Sequence, residues 1–378
     1  MRMTSGLRRR LAAGGSALCL VATTGTTAAW GTTAAAPSWR VSHVFVGQPI
    51  SNLLAVTATQ PGDAWAFGDG KNFRPAALHW NGRTWSIGFL PGATDRPEQV
   101  SETGRTNVWA AGGSCGQVST TPYVSRWNGR RWTTTLFPRA PFCGASAVVT
   151  TGPSDGWLFT ESASPTVALH FTGRTWNRVS LGRVGPVVSA SAVSRKNVWA
   201  VTDPLSNRMR IVHWNGSSWR TVTIPAAPVP RGDQAAPIRL VAESANNVWL
   251  TTVVVRNDMQ VTGPLKSALL HWNGRGWHWI KVPFGDQTWQ AASDGHGGLW
   301  AIAVVNLVTG ASDFMHYSAG RWTRQPVPTR GIPPTVGNVD VFSLALIPGT
   351  QMLWASGDAF WDTPTTSASA SVMFKYVP

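Results

Sequence analysis

Three observations predict that this chain is all-β and folds as a seven-bladed β-propeller of four-stranded blades, its ring closed by pairing of the N- and C-terminal strands. The first is a hairpin motif. Trp80-Asn81-Gly82-Arg83-Thr84-Trp85 returns at 127–132, 214–219 and 272–277, with looser copies from Phe171 to Trp176 and from Tyr317 to Trp322. The second is an upstream signature: Asp63-Ala64-Trp65-Ala66, Asn107-Val108-Trp109-Ala110 and Asn197-Val198-Trp199-Ala200, with related tryptophans at Trp157, Trp249, Trp300 and Trp354. The seven tryptophans of this signature recur at a mean spacing of about 48 residues, the length of a propeller blade. The third lies at the chain ends. Ser371 to Tyr376 read as the third strand of a seventh unit, with Lys375-Tyr376 in the place of His271-Trp272, and the chain then stops. Trp39-Arg40-Val41 resembles Trp176-Asn177-Arg178-Val179 and supplies the missing fourth strand. Closure leaves no sheet edge open to another chain, so a monomer is expected.

Each unit justifies four strands, a to d. A short apolar run such as 189–193 forms strand a, a polar turn follows, and Val-Trp-Ala begins strand b. After a variable loop, strand c ends in His-Trp, an Asn-Gly turn reverses the chain, and strand d opens on Trp. Asn and Gly both tolerate positive φ, which makes this the strongest short hairpin signal. Read as a two-residue loop, Asn81-Gly82 pairs Trp80 with Arg83 and Leu78 with Trp85. The two tryptophans are then diagonal neighbours on one face, positioned to pack against the adjacent blade. His79, His170, His213, His271 and His316 fill one repeat position just before the strand c aromatic. A residue repeated around a ring serves each blade alike, so these histidines are expected to bond a neighbouring turn or strand.

Composition agrees. Charged residues are 13% of the chain, against about 25% in typical soluble domains. No apolar run of membrane-spanning length occurs outside the N-terminus, so no transmembrane segment is expected. The 22 tryptophans supply ample apolar area and exclude disorder, and the 38 glycines lack the every-third-residue period of collagen.

Residues 1–36 have the order of a secretory signal peptide: Arg8 to Arg10, an apolar stretch from Leu11 to Val21, then small residues ending in Ala34 to Ala36. The propeller domain is 37–378, and the protein is expected to be secreted. Removing 1–36 deletes four arginines and no acid, which takes the formal charge from +15 to +11. An exported cation is drawn to anionic cell-envelope polymers or lipid headgroups. The arginines are scattered, without a dense run or recognition helix, so no nucleic-acid partner is expected. Only Cys115 and Cys143 remain after processing. In an exported protein such a pair is expected as a disulfide, not as a metal site, which needs more soft ligands.

With these repeats the chain resembles a family of secreted bacterial propellers carrying Asn-Val-Trp-Ala and His-Trp-Asn-Gly-x-x-Trp blades. The family is similar in design to kelch and galactose-oxidase-type propellers and to Asp-box propellers. The resemblance covers 37–378 and implies the fold; it does not imply an activity, because propellers host many unrelated functions.

An inventory of catalytic groups gives no enzyme. A sialidase-like site needs a tyrosine nucleophile, and of the three tyrosines only Tyr123 lies outside the repeat, without an acidic partner nearby in sequence. A copper site of the galactose-oxidase kind needs tyrosines and a cysteine cross-link. No Gly-x-Ser-x-Gly elbow, His-Glu-x-x-His pair or phosphate-cradling loop is present. A lyase could draw only on His296 and Glu243. No catalytic residue, metal or cofactor is therefore assigned.

Binding residues are easier to name. Four positions after the strand b tryptophan stand Asp69, Gly113, Glu161, Asp203, Val253, Val304 and Asp358. The acids at this offset form a partial ring round the opening, or else cap loops and balance arginines. Trp289 opens strand a of blade six, and Phe360-Trp361 fall in the b–c loop of blade seven, on the same face. Trp361 beside Asp358 and Asp362 suits stacking on a sugar ring with hydroxyls bonded to the acids; the plainer role is loop packing. The sequence thus reads as a secreted, non-catalytic propeller that binds an extracellular glycan or anionic cell-envelope polymer on its loop face. The alternatives are a polysaccharide hydrolase or lyase using that face, or a protein-interaction scaffold. Peptide mapping of exported protein without reductant is expected to recover Cys115 and Cys143 in one linked pair, and two free thiols would refute the disulfide.

Overall fold

A computed structural model describes residues 36–378, apart from 116–119, 139–143, 161–165, 204–208, 257–265, 284–286, 305–311, 334–335 and 363–366. Pro37–Pro378 form one compact unit, built from seven sheets of four antiparallel strands. Blades one to six span 50–89, 97–136, 145–182, 187–222, 233–281 and 287–326 in the order a-b-c-d. Blade seven takes strands a to c from the C-terminus (Val336–Leu346, Leu353–Asp362, Ser367–Val377) and strand d from the N-terminus (Ser38–Val44).

The ring closes as the chain ends predict. Trp39 lies opposite Tyr376, and Ser38 opposite Val377. Trp39 is buried, stacked on Phe314 of blade six at 3.9 Å between ring centroids.

The hairpin differs from the two-residue reading. Trp80 is the direct partner of Trp85, so the loop is 81–84. The reason is the asparagine side chain. Asn81 Oδ1 accepts the N–H groups of Arg83 and Thr84 at 2.9 and 3.0 Å, which folds the backbone into an Asx turn, with Gly82 at φ 95°. Asn128, Asn215 and Asn273 make the same bonds. Direct pairing sets the two tryptophan rings side by side, 5.6 Å apart at Trp80 and Trp85. The strand b tryptophan of the preceding blade then packs on both: Trp354 lies 5.6 and 5.4 Å from them. Trp65 meets Trp127 and Trp132 at 5.1 Å each, and Trp157 meets Trp214 and Trp219 at 5.0 and 5.2 Å.

The repeated histidines bond the start of strand b, as expected. Nε2 lies 3.2 Å from Asp63 Oδ1 in His79 and 2.8 Å from Asp155 in His170; His213 and His271 use Asn197 and Asn247 at 3.1 and 2.6 Å. Each imidazole also lies against its strand b tryptophan, closest at His271 on Trp249, 3.6 Å. Blade six has Gly298 where blades one to five carry Asp or Asn. There Asp294 reaches back from the a–b turn, accepting Gly298 N–H and meeting His316 Nε2, both at 2.8 Å. Where histidine is absent, Arg126 lies over Trp109 and Lys375 over Trp354.

The partner decides the charge. Burial alone would raise Asp63, but His79 and Arg105 outweigh it and hold the carboxyl below its ordinary value. His271 faces a neutral amide, and burial, with His278 nearby, lowers its pKa from 6.5 to about 4. A depressed histidine stabilises the fold only above its unfolded pKa, because the unfolded chain binds the proton more readily. Stability from His271 is therefore complete above pH 6.5 and lost as pH falls towards about 4, by about 1–2 kcal/mol after allowing for solvent screening. Asn247→Asp is expected to flatten this acid limb in urea titrations at pH 7 and pH 4.5. An unchanged limb would exclude His271 as its source.

Candidate binding face

In each blade the b–c and d–a connections leave one face of the ring, and the a–b and c–d turns leave the other. Most b–c loops lie outside the described residues, as does Glu161. So does Cys143, which leaves its pairing with Cys115 an expectation. The backbone of Trp289 lies in strand a of blade six and that of Asp362 ends strand b of blade seven; their side chains are outside the described set.

Asp69 and Asp358 are brought together, through a residue the sequence reading missed. Asn52 sits in a bulge of strand a of blade one, at a left-handed φ of 51°. Its N–H donates to Asp358 Oδ2 and its Nδ2 to Asp69 Oδ2, both at 2.9 Å. Asp358 Oδ1 also accepts from Ser371 Oγ at 2.7 Å. Both acids are buried. Burial dominates at Asp358 and, with Asp69 nearby, keeps its carboxyl above the ordinary range despite these bonds. Asp340, directly opposite Asp358 in the sheet, is likewise raised by burial, with Asp358 adding repulsion against the bond from Asn338.

Cationic compensation comes from blade two. Arg96 lies within 3.4 Å of Asp69 and 3.3 Å of Glu98. Burial would lower the Arg96 pKa, but Glu98 and Asp69 outweigh it. Beyond Arg96, Asp95 accepts Thr120 Oγ1 at 2.9 Å, and its carbonyl accepts the Tyr123 hydroxyl at 2.6 Å. Burial together with Asp95, Glu98 and Asp69 pushes the Tyr123 hydroxyl well above its ordinary value. Tyr123 is thus a buried donor held in its protonated form. The network Asp340–Asp358–Asn52–Asp69–Arg96–Glu98 spans blades seven, one and two.

Asn52, Asp340 and Arg96, the last just before strand a of blade two, share one feature: a carbonyl that presses on strand b of the same blade. A Cβ on Gly68 would sit 2.3 Å from Asn52 O, one on Gly112 2.5 Å from Arg96 O, and one on Gly357 2.0 Å from Asp340 O. The glycines before Asp69 and Asp358 were the sequence signal for this approach, since a strand glycine marks close backbone contact.

The other candidates separate. Asp203 stands in blade four, its N–H bonded to Pro186 O at 2.9 Å and its carboxyl raised by burial. His296 and Glu243 lie at the a–b turns, on the opposite face. There Glu243 accepts Asn247 Nδ2 and the Gly297 N–H, and His296 Nε2 meets Gln351 at 3.1 Å.

The aromatics correct one expectation. Phe360 and Trp361 lie inside strand b of blade seven, opposite Ser369 and Ala368, because that strand runs to Asp362. Trp361 is half-buried against the core between blades six and seven, and Phe360 is exposed. A further aromatic went unnoticed in sequence. Phe73, in the b–c turn of blade one, is 81% exposed and follows Asn72, both at positive φ. Non-glycine residues held in that region store strain of about 1–3 kcal/mol and cluster at functional sites.

No family model matches the sequence, and no curated protein matches it. Solved structures match the fold. A YCF48 structure bound to a D1 peptide is similar at 13% identity and TM-score 0.56, over 90% of this chain and 97% of that one. A GH74 xyloglucanase from Xanthomonas campestris is similar at 14% identity and TM-score 0.57, over 88% of this chain and 55% of the enzyme. The WD40 repeats of RRP9 are similar at 9% identity and TM-score 0.58, over 89% of this chain and 99% of that one. At such identities the likeness establishes the β-propeller fold and nothing narrower. Among the described residues no helix is long and apolar enough to cross a membrane, and no group of His, Cys, Asp and Glu is arranged to hold a metal.

Gly357→Ala should lower the urea midpoint, reflecting a loss of about 1–3 kcal/mol of unfolding free energy to overpacking, because its methyl meets the Asp340 carbonyl. An unchanged midpoint would show that strand a does not press on strand b at this position.

Proposed function

We propose that this protein is a secreted binding propeller that recognises a glycan on the b–c and d–a face, at blades seven and one. The observation that supports this most directly is a pairing of chemistries. A bonded network of carboxylates and amides at Asp358, Asn52 and Asp69 lies in the same two blades as the half-buried Trp361 and the exposed Phe360 and Phe73. Aromatic faces take the C–H surface of a sugar, and fixed polar groups take its hydroxyls. The acids favour a neutral, polyhydroxylated ligand at this mouth. Attraction to anionic cell-envelope polymer would fall to the arginines elsewhere on the chain, whose excess leaves the 37–378 portion at +11.

The network favours holding over turnover. Asp358 is engaged by Ser371 and Asn52, and Asp69 by Asn52 and Arg96. A general acid or base must instead be free to exchange a proton with its substrate.

Titration of the mature protein against a panel of neutral and acidic polysaccharides tests the reading. Trp361→Ala and Phe73→Ala are each expected to weaken binding about tenfold, the worth of one stacked aromatic. Phe73→Ala should leave the melting temperature unchanged, since that ring is exposed. Binding unaltered in both variants would refute the sugar platform. Polysaccharide turnover that vanishes in Asp340→Asn would establish the hydrolase or lyase reading instead.

A further inference from the structure

The centre of the ring carries a feature that the loop face does not use. A channel of about 450 Å³ runs between the innermost strands of all seven blades. Among the described residues lining it, only Glu102 and Arg239 bear charge. They are not alike. Glu102 accepts the Thr57 hydroxyl, and burial holds its carboxyl above the ordinary range, towards the neutral acid. Arg239 lies on strand a of blade five (Asp233–Ser244), just past a bulge at Pro237. Its Nε is buried without a hydrogen-bond partner, and no carboxylate among the described residues forms an ion pair with it. Deep placement lowers its pKa, yet guanidinium keeps its proton throughout the physiological range. The residue is half-buried and lines the channel. A cation so placed costs free energy unless an anion meets it.

The walls are prepared for one. The inner strands of neighbouring blades are bridged by serines that accept main-chain N–H groups: Thr150 N–H to Ser101 Oγ at 3.0 Å and Ala242 N–H to Ser191 Oγ at 3.0 Å. Ser293 Oγ accepts the Gly295 N–H at 2.9 Å. All three serines line the channel. A hydroxyl whose lone pair is already taken by an N–H still has its own proton to give. The channel therefore presents a forked guanidinium and a set of hydroxyl donors, with its one acid already satisfied by Thr57.

We propose that the central channel is an oxyanion site, in which Arg239 makes a two-pronged contact with a phosphate or carboxylate group and channel serine hydroxyls donate to it. Fork geometry suits both groups, which share the paired-oxygen edge that guanidinium recognises. The site is separate from the loop face, so loss of glycan binding there leaves it intact.

Calorimetric melting and titration of the mature protein with inorganic phosphate, with glucuronate, and with chloride at matched ionic strength test the site and distinguish the two anions. Phosphate or glucuronate is expected to raise the melting temperature saturably, by about 3–5 °C at high occupancy, and chloride is not. Arg239→Gln should abolish the response and leave the unliganded melting temperature unchanged or higher, because an unpaired deep charge has gone. Arg239→Lys should keep the charge without the fork and weaken binding about tenfold or more. Arg231→Gln, at an exposed arginine, should respond as wild type. Equal responses to all three anions, or a full response in Arg239→Gln and Arg239→Lys, would overturn the proposal.

Discussion

One contact, repeated at every blade interface, organises this molecule. The strand b tryptophan of each blade packs against the aromatic pair where strands c and d of the next blade meet: Trp65 on Trp132, Trp109 on Trp176, Trp157 on Trp219, Trp199 on Trp277, Trp249 on Tyr317, Trp300 on Tyr376 and Trp354 on Trp85. Burying one such ring contributes about 4 kcal/mol before chain entropy is counted. Five of these indoles, Trp65, Trp157, Trp199, Trp249 and Trp354, bury their N–H without a polar acceptor. In four of the five the ring stands at 77–88° to the strand d tryptophan of the next blade. Near-perpendicular rings let an N–H meet a π face, which offsets part of that desolvation. In five blades a histidine lies against this tryptophan, and in blades one, three, four and five it also bonds the first residue of strand b.

A ring of such contacts is only as strong as its closure. Blade six to seven is the sole interface whose aromatic pair comes from both ends of the chain, Trp39 and Tyr376. Trp39 touches Trp300, Phe314 and Tyr376 at once. Closure also fixes the inner strands, which are too far from one another's main chain to form a sheet. They are linked instead by N–H to serine bonds, such as Val56 to Ser343 across the seventh and first blades at 3.2 Å. The same closure that buries the aromatic pairs thus defines the channel at the centre.

Much of this was legible in sequence, because each structural demand repeats. A tryptophan needed at seven interfaces leaves a period, and a chain that begins on strand d leaves an incomplete last unit. The hairpin length was not legible from Asn-Gly alone. Those two residues fit a two-residue loop equally well, and only the bonds from Asn81 Oδ1 to two successive N–H groups settle it as four. The mouth of the ring was half legible. Asp69 and Asp358 could be placed by their offset from tryptophan, but Asn52, Arg96 and Asp340 differ in chemistry and stand far apart in the chain. What they share is a backbone carbonyl against a glycine, a main-chain property that side-chain patterns do not record. The histidine partners Asp63 and Asn197 were visible as a repeat position, whereas Asp294 was hidden because an acid from the turn replaced one from the strand.

The charges fall into two arrangements with opposite logic. At the mouth, Asp340, Asp358 and Asp69 crowd together, and burial raises Asp340 and Asp358. Their repulsion is contained by Asn52, Ser371, Asn338 and Arg96, so no carboxylate there lacks a donor. In the channel, a lone guanidinium faces hydroxyls and a satisfied acid, so the unmet demand is for an acceptor. A satisfied network holds a fixed shape and can recognise a ligand without being consumed by it. An unsatisfied cation, in a cavity with donors on its walls, is instead stabilised by whatever anion enters. The fold makes both possible, because a closed ring can hold like charges close together at its rim and a guanidinium Nε without a partner on its inner wall.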